Sequence, residues 1–76
     1  MSAEPRVVIR RWAFGRLRVF VENGPAKMAS IHRNRSRAMG AAVGLAYALS
    51  IPIHDATGLY SETDCAELVK AFGGEA

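Results

Sequence analysis

Sixteen consecutive residues without a charge, Ala38 to Ile53, constrain this 76-residue chain more than any other feature. Gly40, Gly44 and Ala48 recur within them at four-residue spacing, which lets two helix backbones approach closely, as in membrane-spanning pairs. A span needs roughly 20 apolar residues, however, and Pro52 breaks this run near its end. The stretch therefore reads as a helix buried inside a domain, followed by a strand, and no membrane association is expected. The rest of the chain must cover that helix. A chain this short buries only about 60% of its unfolded surface, so residues 1–76 make one small domain, with 1–5 expected to be disordered. The polar start, Met1 to Pro5, has no apolar core behind it and predicts no secretory leader. The single cysteine, Cys65, cannot form an internal disulfide and points to the cytoplasm.

The segments before the helix read as strands. Arg6 to Trp12 is rich in β-branched and aromatic residues. Ala13-Phe14-Gly15 supplies a short loop with a glycine where a positive φ is needed. Arg16 to Glu22 then alternates, with Leu17, Val19 and Val21 on one face and Arg16, Arg18, Phe20 and Glu22 on the other. Asn23-Gly24-Pro25 is a turn, and Ala26 to Arg33 is expected as a third strand. Asn34 or Ser36 caps the helix over Arg37 to Leu49, whose inward face is Met39, Ala42, Val43, Ala46 and Leu49. Close packing of the helix on the sheet is the simplest reason for Gly40 and Gly44; the alternative is self-pairing of that face in a homo-oligomer. Ser50 and Pro52 end the helix, Ile51 to His54 is an edge strand, and Asp55 to Gly58 is a turn. Ser61 opens a second helix through a capping box with Asp64; Cys65, Leu68, Val69 and Phe72 are its apolar face, and Gly73-Gly74 stop it. The expected fold is α+β: a three- to four-stranded antiparallel sheet packed against two helices, in the order β-β-β-α-β-α.

The formal net charge is only +3, but it is segregated. Residues 1–37 hold nine Lys/Arg and two acids; residues 38–76 hold one Lys and five acids. Eight of the ten cations are arginine, the side chain suited to bidentate contact with phosphate or carboxylate. Arg10, Arg16 and Arg18 lie in the first hairpin, while Arg33, Arg35 and Arg37 gather where the chain enters the helix; Lys27 adds a cation from the third strand. Trp12, Phe14 and Phe20 are interleaved with these cations, and on the outer sheet face Trp12 and Phe20 would offer stacking surfaces among charges, as nucleic-acid binders do. The competing reading is a solvated face on which arginine stacks on aromatics of its own chain. Arg33, Arg35 and Arg37 also oppose the helix dipole, a conflict that a bound anion would remove. The expected partner is nucleic acid, a nucleoprotein complex or an acidic protein surface, met by Arg10, Trp12, Arg16, Arg18, Phe20, Arg33, Arg35 and Arg37.

Signals for catalysis are sparse. Two histidines and one cysteine in separate elements, with no Cys-x-x-Cys or His-x-x-x-His, do not make a metal-site pattern. Cys65 reads as a small core residue. No glycine-rich phosphate loop occurs, and no cofactor is expected. His54-Asp55, or His32 among arginines, would be the groups of a ribonuclease-type toxin; a partly exposed histidine at each of two strand ends is the simpler account, and the chain is expected not to be an enzyme.

Trp12 in a hairpin, the run Arg37-Ala38-Met39-Gly40-Ala41-Ala42, and Ile53-His54-Asp55-Ala56-Thr57-Gly58 resemble small bacterial domains with a β-β-β-α-β plan. In size and element order, over residues 6–60, the chain is also similar to the anti-CRISPR proteins of phages. That resemblance implies a non-catalytic inhibitor that binds a CRISPR surveillance complex in the host cytoplasm. Many such inhibitors are acidic DNA mimics, whereas this chain is basic. It would therefore meet guide RNA, target DNA or an acidic surface. Direct binding of DNA or RNA is the neighbouring alternative.

Overall fold

The computed structural model describes residues 4–24 and 28–74, which form a four-stranded mixed sheet with two helices on one face, an α+β fold. The strands are β1 (Arg6–Arg11), β2 (Leu17–Glu22), β3 (Ala29–His32) and β4 (Ile53–Asp55); the helices are α1 (Arg35–Leu49) and α2 (Glu62–Phe72). Lys27 and the first residues expected in the third strand lie outside the described residues, as do residues 1–3 of the segment expected to be disordered.

The strand order is β3-β2-β1-β4. β1 with β2 and β2 with β3 are antiparallel, but β4 runs parallel to β1, so the sheet is not purely antiparallel as expected. The reason is geometric. Two antiparallel steps leave β3 pointing the same way as β1. The 15 residues of α1 cover about 22 Å, close to the length of a six-residue strand. The helix thus returns the chain to the end where β1 begins, and β4 sets out beside it. Pro52, which has no N–H to offer, enters this edge strand by accepting the Val7 N–H at 2.8 Å through its carbonyl.

Strand alternation decides what lies inside. Val7 and Ile9 of β1, Leu17 and Val19 of β2 and Ile53 of β4 face the helices and are buried. Against them α1 sets Ala38, Met39, Ala42, Val43 and Ala46. The three alanines, at four-residue spacing, form the ridge that lies on the valines. Close approach therefore comes from Ala38, Ala42 and Ala46 and not from the glycines. A Cβ added at Gly40 or Gly44 would meet nothing within 4 Å, which corrects the expectation that these glycines pack on the sheet. Asn34, not Ser36, is the N-cap: its Oδ1 accepts the Arg37 N–H at 2.9 Å. At the other end Ser50 takes up the left-handed conformation at φ 55°.

The second helix opens with the expected capping box, Ser61 Oγ accepting the Asp64 N–H and the Asp64 carboxylate accepting the Ser61 N–H. α2 buries Cys65 and half-buries Val69 beside α1, while Leu68 and Phe72 stay exposed. Phe72 meets Tyr47 edge-on, with ring centroids 5.5 Å apart. A Cβ at Gly73 would lie 2.6 Å from the Tyr47 ring, so a larger residue there would have to displace that side chain.

Candidate nucleic-acid interface

The face of the sheet away from the helices is open to solvent. Register arranges it in rows: His54, Val8, Phe20 and Ala29 across the middle, then Arg10, Arg18 and Ile31 toward the β1–β2 turn. Val8 is only 4% exposed although no helix covers it, because the larger side chains around it close over the strand. Arg10 stands directly across from Arg18, a like-charge pair that costs stability in a sheet. Arg18 is half-buried, and its guanidinium lies 5.0 Å from the Trp12 ring centroid and 4.7 Å from that of Phe20. Each contact is worth about 0.5–1 kcal/mol where exposed. The structure thus brings Arg10, Trp12, Arg18 and Phe20 together on one face.

The turn that closes this hairpin is built under strain. Ala13-Phe14-Gly15-Arg16 folds with the Arg16 N–H reaching the Ala13 carbonyl at 3.3 Å. Phe14 and Gly15, its two central residues, both have positive φ (60° and 70°), as the type I′ hairpin turn demands. Glycine adopts this freely, whereas a phenylalanine pays about 1–2 kcal/mol. No burial among the described residues offsets it, since Phe14 is 96% exposed. Phe14 is therefore a large apolar side chain held outward at the tip of the hairpin, beside Trp12 and Arg16.

The remaining arginines meet at the same end of the sheet. Arg11 has the opposite parity to Arg10 and stands on the helix side, just past the last buried residue of β1. Arg33 lies in the bend after β3, and Arg35 is the first residue of α1. Together with Arg16, Trp12 and Asn34 they line a concavity of about 420 Å³. Arg37 borders a neighbouring hollow with Ile31, His32 and Arg33. No acid lies in the first turn of α1. Among the described residues the one ion pair is Arg6–Glu22, 2.5 Å apart at the far end of the sheet. Arg10, Arg11, Arg16, Arg18, Arg33, Arg35 and Arg37 thus have no carboxylate of the described residues within ion-pair distance.

The far end is chemically opposite. Glu4, Glu22 and Glu62 cluster there around Arg6, Asn23 and Pro52. A second concavity of about 590 Å³, between the end of α1 and α2, is largely apolar and carries Glu4 and Glu62 at its rim. Most arginines of the first half therefore gather at one end of the sheet, while acids of both halves, Glu4, Glu22 and Glu62, meet at the other.

His54 and Asp55 do not pair. As neighbours in β4 they point to opposite faces, His54 outward and Asp55 toward the helices. The buried Asp55 carboxylate is fully committed: Oδ1 accepts the Thr57 N–H at 2.9 Å and the Thr57 hydroxyl, and Oδ2 accepts the Tyr60 N–H at 3.0 Å. Nε2 of His32 shares a hydrogen bond of 2.7 Å with the Ser30 hydroxyl on the edge strand. Burial pushes the Cys65 thiol pKa up, and the carboxylates of Asp55, Asp64 and Glu62 push it further, so the thiol stays protonated and a poor nucleophile. Among the described residues no three His, Cys, Asp or Glu side chains are placed to hold a metal ion. No helix of the described residues is long and apolar enough to cross a membrane.

Two residues of this surface escaped the sequence reading as contacts. Arg11 is not among the expected contacts, and its parity, opposite to that of Arg10, carries it to the helix entry. Phe14 lies in a turn whose type is visible only in the backbone angles. In comparisons with protein-family models, curated proteins and solved structures, the chain matches none.

Proposed function

We propose that this chain is a non-catalytic binding module whose cationic sheet end and open face dock on nucleic acid, free or held in a nucleoprotein assembly. The observation that supports it best is the set of seven arginines that, among the described residues, have no carboxylate partner, on the sheet end that carries Trp12, Phe14 and Phe20. Structural arginines usually sit against acids of their own chain. Here like charges face each other across β1 and β2, an arrangement that a polyanion stabilises. Arg18 covers one face of each aromatic ring, while Trp12 remains 46% exposed and Phe14 wholly so. Guanidinium groups would hold the phosphates, and these rings would take unstacked bases, a combination suited to single strands. Arg10, Arg16, Arg18, Arg33, Arg35 and Arg37 are the phosphate contacts, with Trp12, Phe20 and the exposed Phe14 as stacking contacts. In its most concrete form the docking inhibits a CRISPR surveillance complex, the mode of the phage proteins that the chain resembles in size and element order.

Titration of the single tryptophan's fluorescence with single-stranded DNA, single-stranded RNA and duplex DNA tests the reading. Saturable quenching by single strands, with the RNA recovered intact, is the expected result. No change with any nucleic acid at low salt would refute direct binding. The inhibitor form predicts that the chain stops a purified surveillance complex from retaining its target DNA, and unimpaired retention refutes that form.

A further inference from the structure

We propose that the concavity between the β1–β2 turn and the start of α1 receives a terminal phosphomonoester, so that the chain engages the end of a nucleic-acid strand. The inference rests on the nucleic-acid reading above and adds where the strand stops. Four arginines, Arg11, Arg16, Arg33 and Arg35, line this one hollow, and they come from the end of β1, the turn just before β2, the β3–α1 bend and the first turn of α1. No carboxylate lines it, and none of the four forms an ion pair among the described residues.

Charge density separates an end from an interior link. Each phosphodiester within a strand carries one negative charge, and successive ones are met by cations spread along a groove. A phosphomonoester carries about −1.5 to −2 at neutral pH on three terminal oxygens, enough to accept paired N–H groups from more than one arginine. Four arginines around a single hollow match the second pattern. Its volume of about 420 Å³ lies near the lower limit of small-ligand sites, roughly 300–1,000 Å³, room for one nucleotide and not for a run of them.

Trp12 supplies the continuity. Trp12 lines the hollow, and its ring also lies against Arg18 of the open sheet face. A nucleotide with its phosphate among the four arginines would set its base against Trp12, and the strand would continue across Arg18 and Phe20.

The test uses the full chain and one short single strand prepared with a 5′-phosphate, a 3′-phosphate or hydroxyl ends. One phosphorylated form should bind about tenfold or more tightly than the hydroxyl form, as expected for added charge-assisted hydrogen bonds. The double substitution Arg11→Ala/Arg35→Ala should make all three strands bind alike. Equal affinity of the native chain for all three overturns the proposal and leaves the nucleic-acid reading standing; no binding of any strand removes both. Free adenosine monophosphate separates the two sources of a phosphomonoester. It should displace the phosphorylated strand only in large excess, because it lacks the sheet-face contacts, and displacement at equal concentration would overturn the assignment to a strand end.

Discussion

Replacing Gly40 and Gly44 by alanine tests how α1 is held. Both positions lie on the side of the helix turned away from the sheet, and an added Cβ meets nothing within 4 Å at either. The substitution should therefore cost no packing and recover only helix propensity. Alanine is favoured over glycine in a helix interior by about 0.8–1.0 kcal/mol per position, so the pair should gain about 2 kcal/mol. For a domain of this size each kcal/mol moves the midpoint by about 4–8 °C, so melting should rise by roughly 10 °C. The assay is thermal and urea unfolding of the native chain and the G40A/G44A variant, with mass in solution recorded for both. An unchanged urea slope with a higher midpoint would show a gain in stability with the same surface exposed on unfolding. A loss of stability would refute the reasoning and show that a neighbouring backbone occupies this face. If the native chain is an oligomer and the variant a monomer, that neighbour is a second copy.

Three further outcomes follow from the packing and the turn. Phe14→Asn should raise stability by about 1 kcal/mol in urea unfolding, because asparagine tolerates a positive φ and the phenylalanine buries nothing, while weakening single-strand binding. Asp55→Asn should destabilise by about 1–3 kcal/mol, since the amide can still accept from Thr57 but turns a donor toward the Tyr60 N–H; equilibrium unfolding reads it directly. Cys65 should react with a thiol reagent far more slowly in the folded chain than in urea, and the raised thiol pKa adds a stability term with a definite sign. The folded state holds this proton more tightly than the unfolded one. Its contribution is therefore complete below the unfolded thiol's pKa and is lost as pH rises through the folded value.

The elements legible in the sequence were those written in local pattern. Alternation at Leu17, Val19 and Val21, the cap at Asn34 and the capping box of Ser61 and Asp64 each depend on residues within a turn or two of one another. The shared face of Arg10, Trp12, Arg18 and Phe20 was legible for the same reason, because strand parity needs only the spacing. The direction of β4 depends instead on how far α1 carries the chain relative to the strands, a three-dimensional length match. Gly40 and Gly44 misled because spacing alone does not say which side of an uncharged helix faces inward, and alanines at Ala38, Ala42 and Ala46 have the same period. Asp55 read as an ordinary turn residue; its three accepted hydrogen bonds join β4 to the approach of α2 and require the fold to be seen.

The central claim is that the cationic end of the sheet binds phosphate, and the salt dependence of single-strand affinity tests it most directly. Releasing about 0.7 counterion per phosphate contact, one phosphate each at Arg10, Arg18 and Arg37 and one among the four arginines of the hollow predict a slope near −3 in log affinity against log salt. Arg10→Ala/Arg18→Ala should reduce that slope by roughly 1.4. A slope near zero, or one unmoved by this double substitution, would contradict the account.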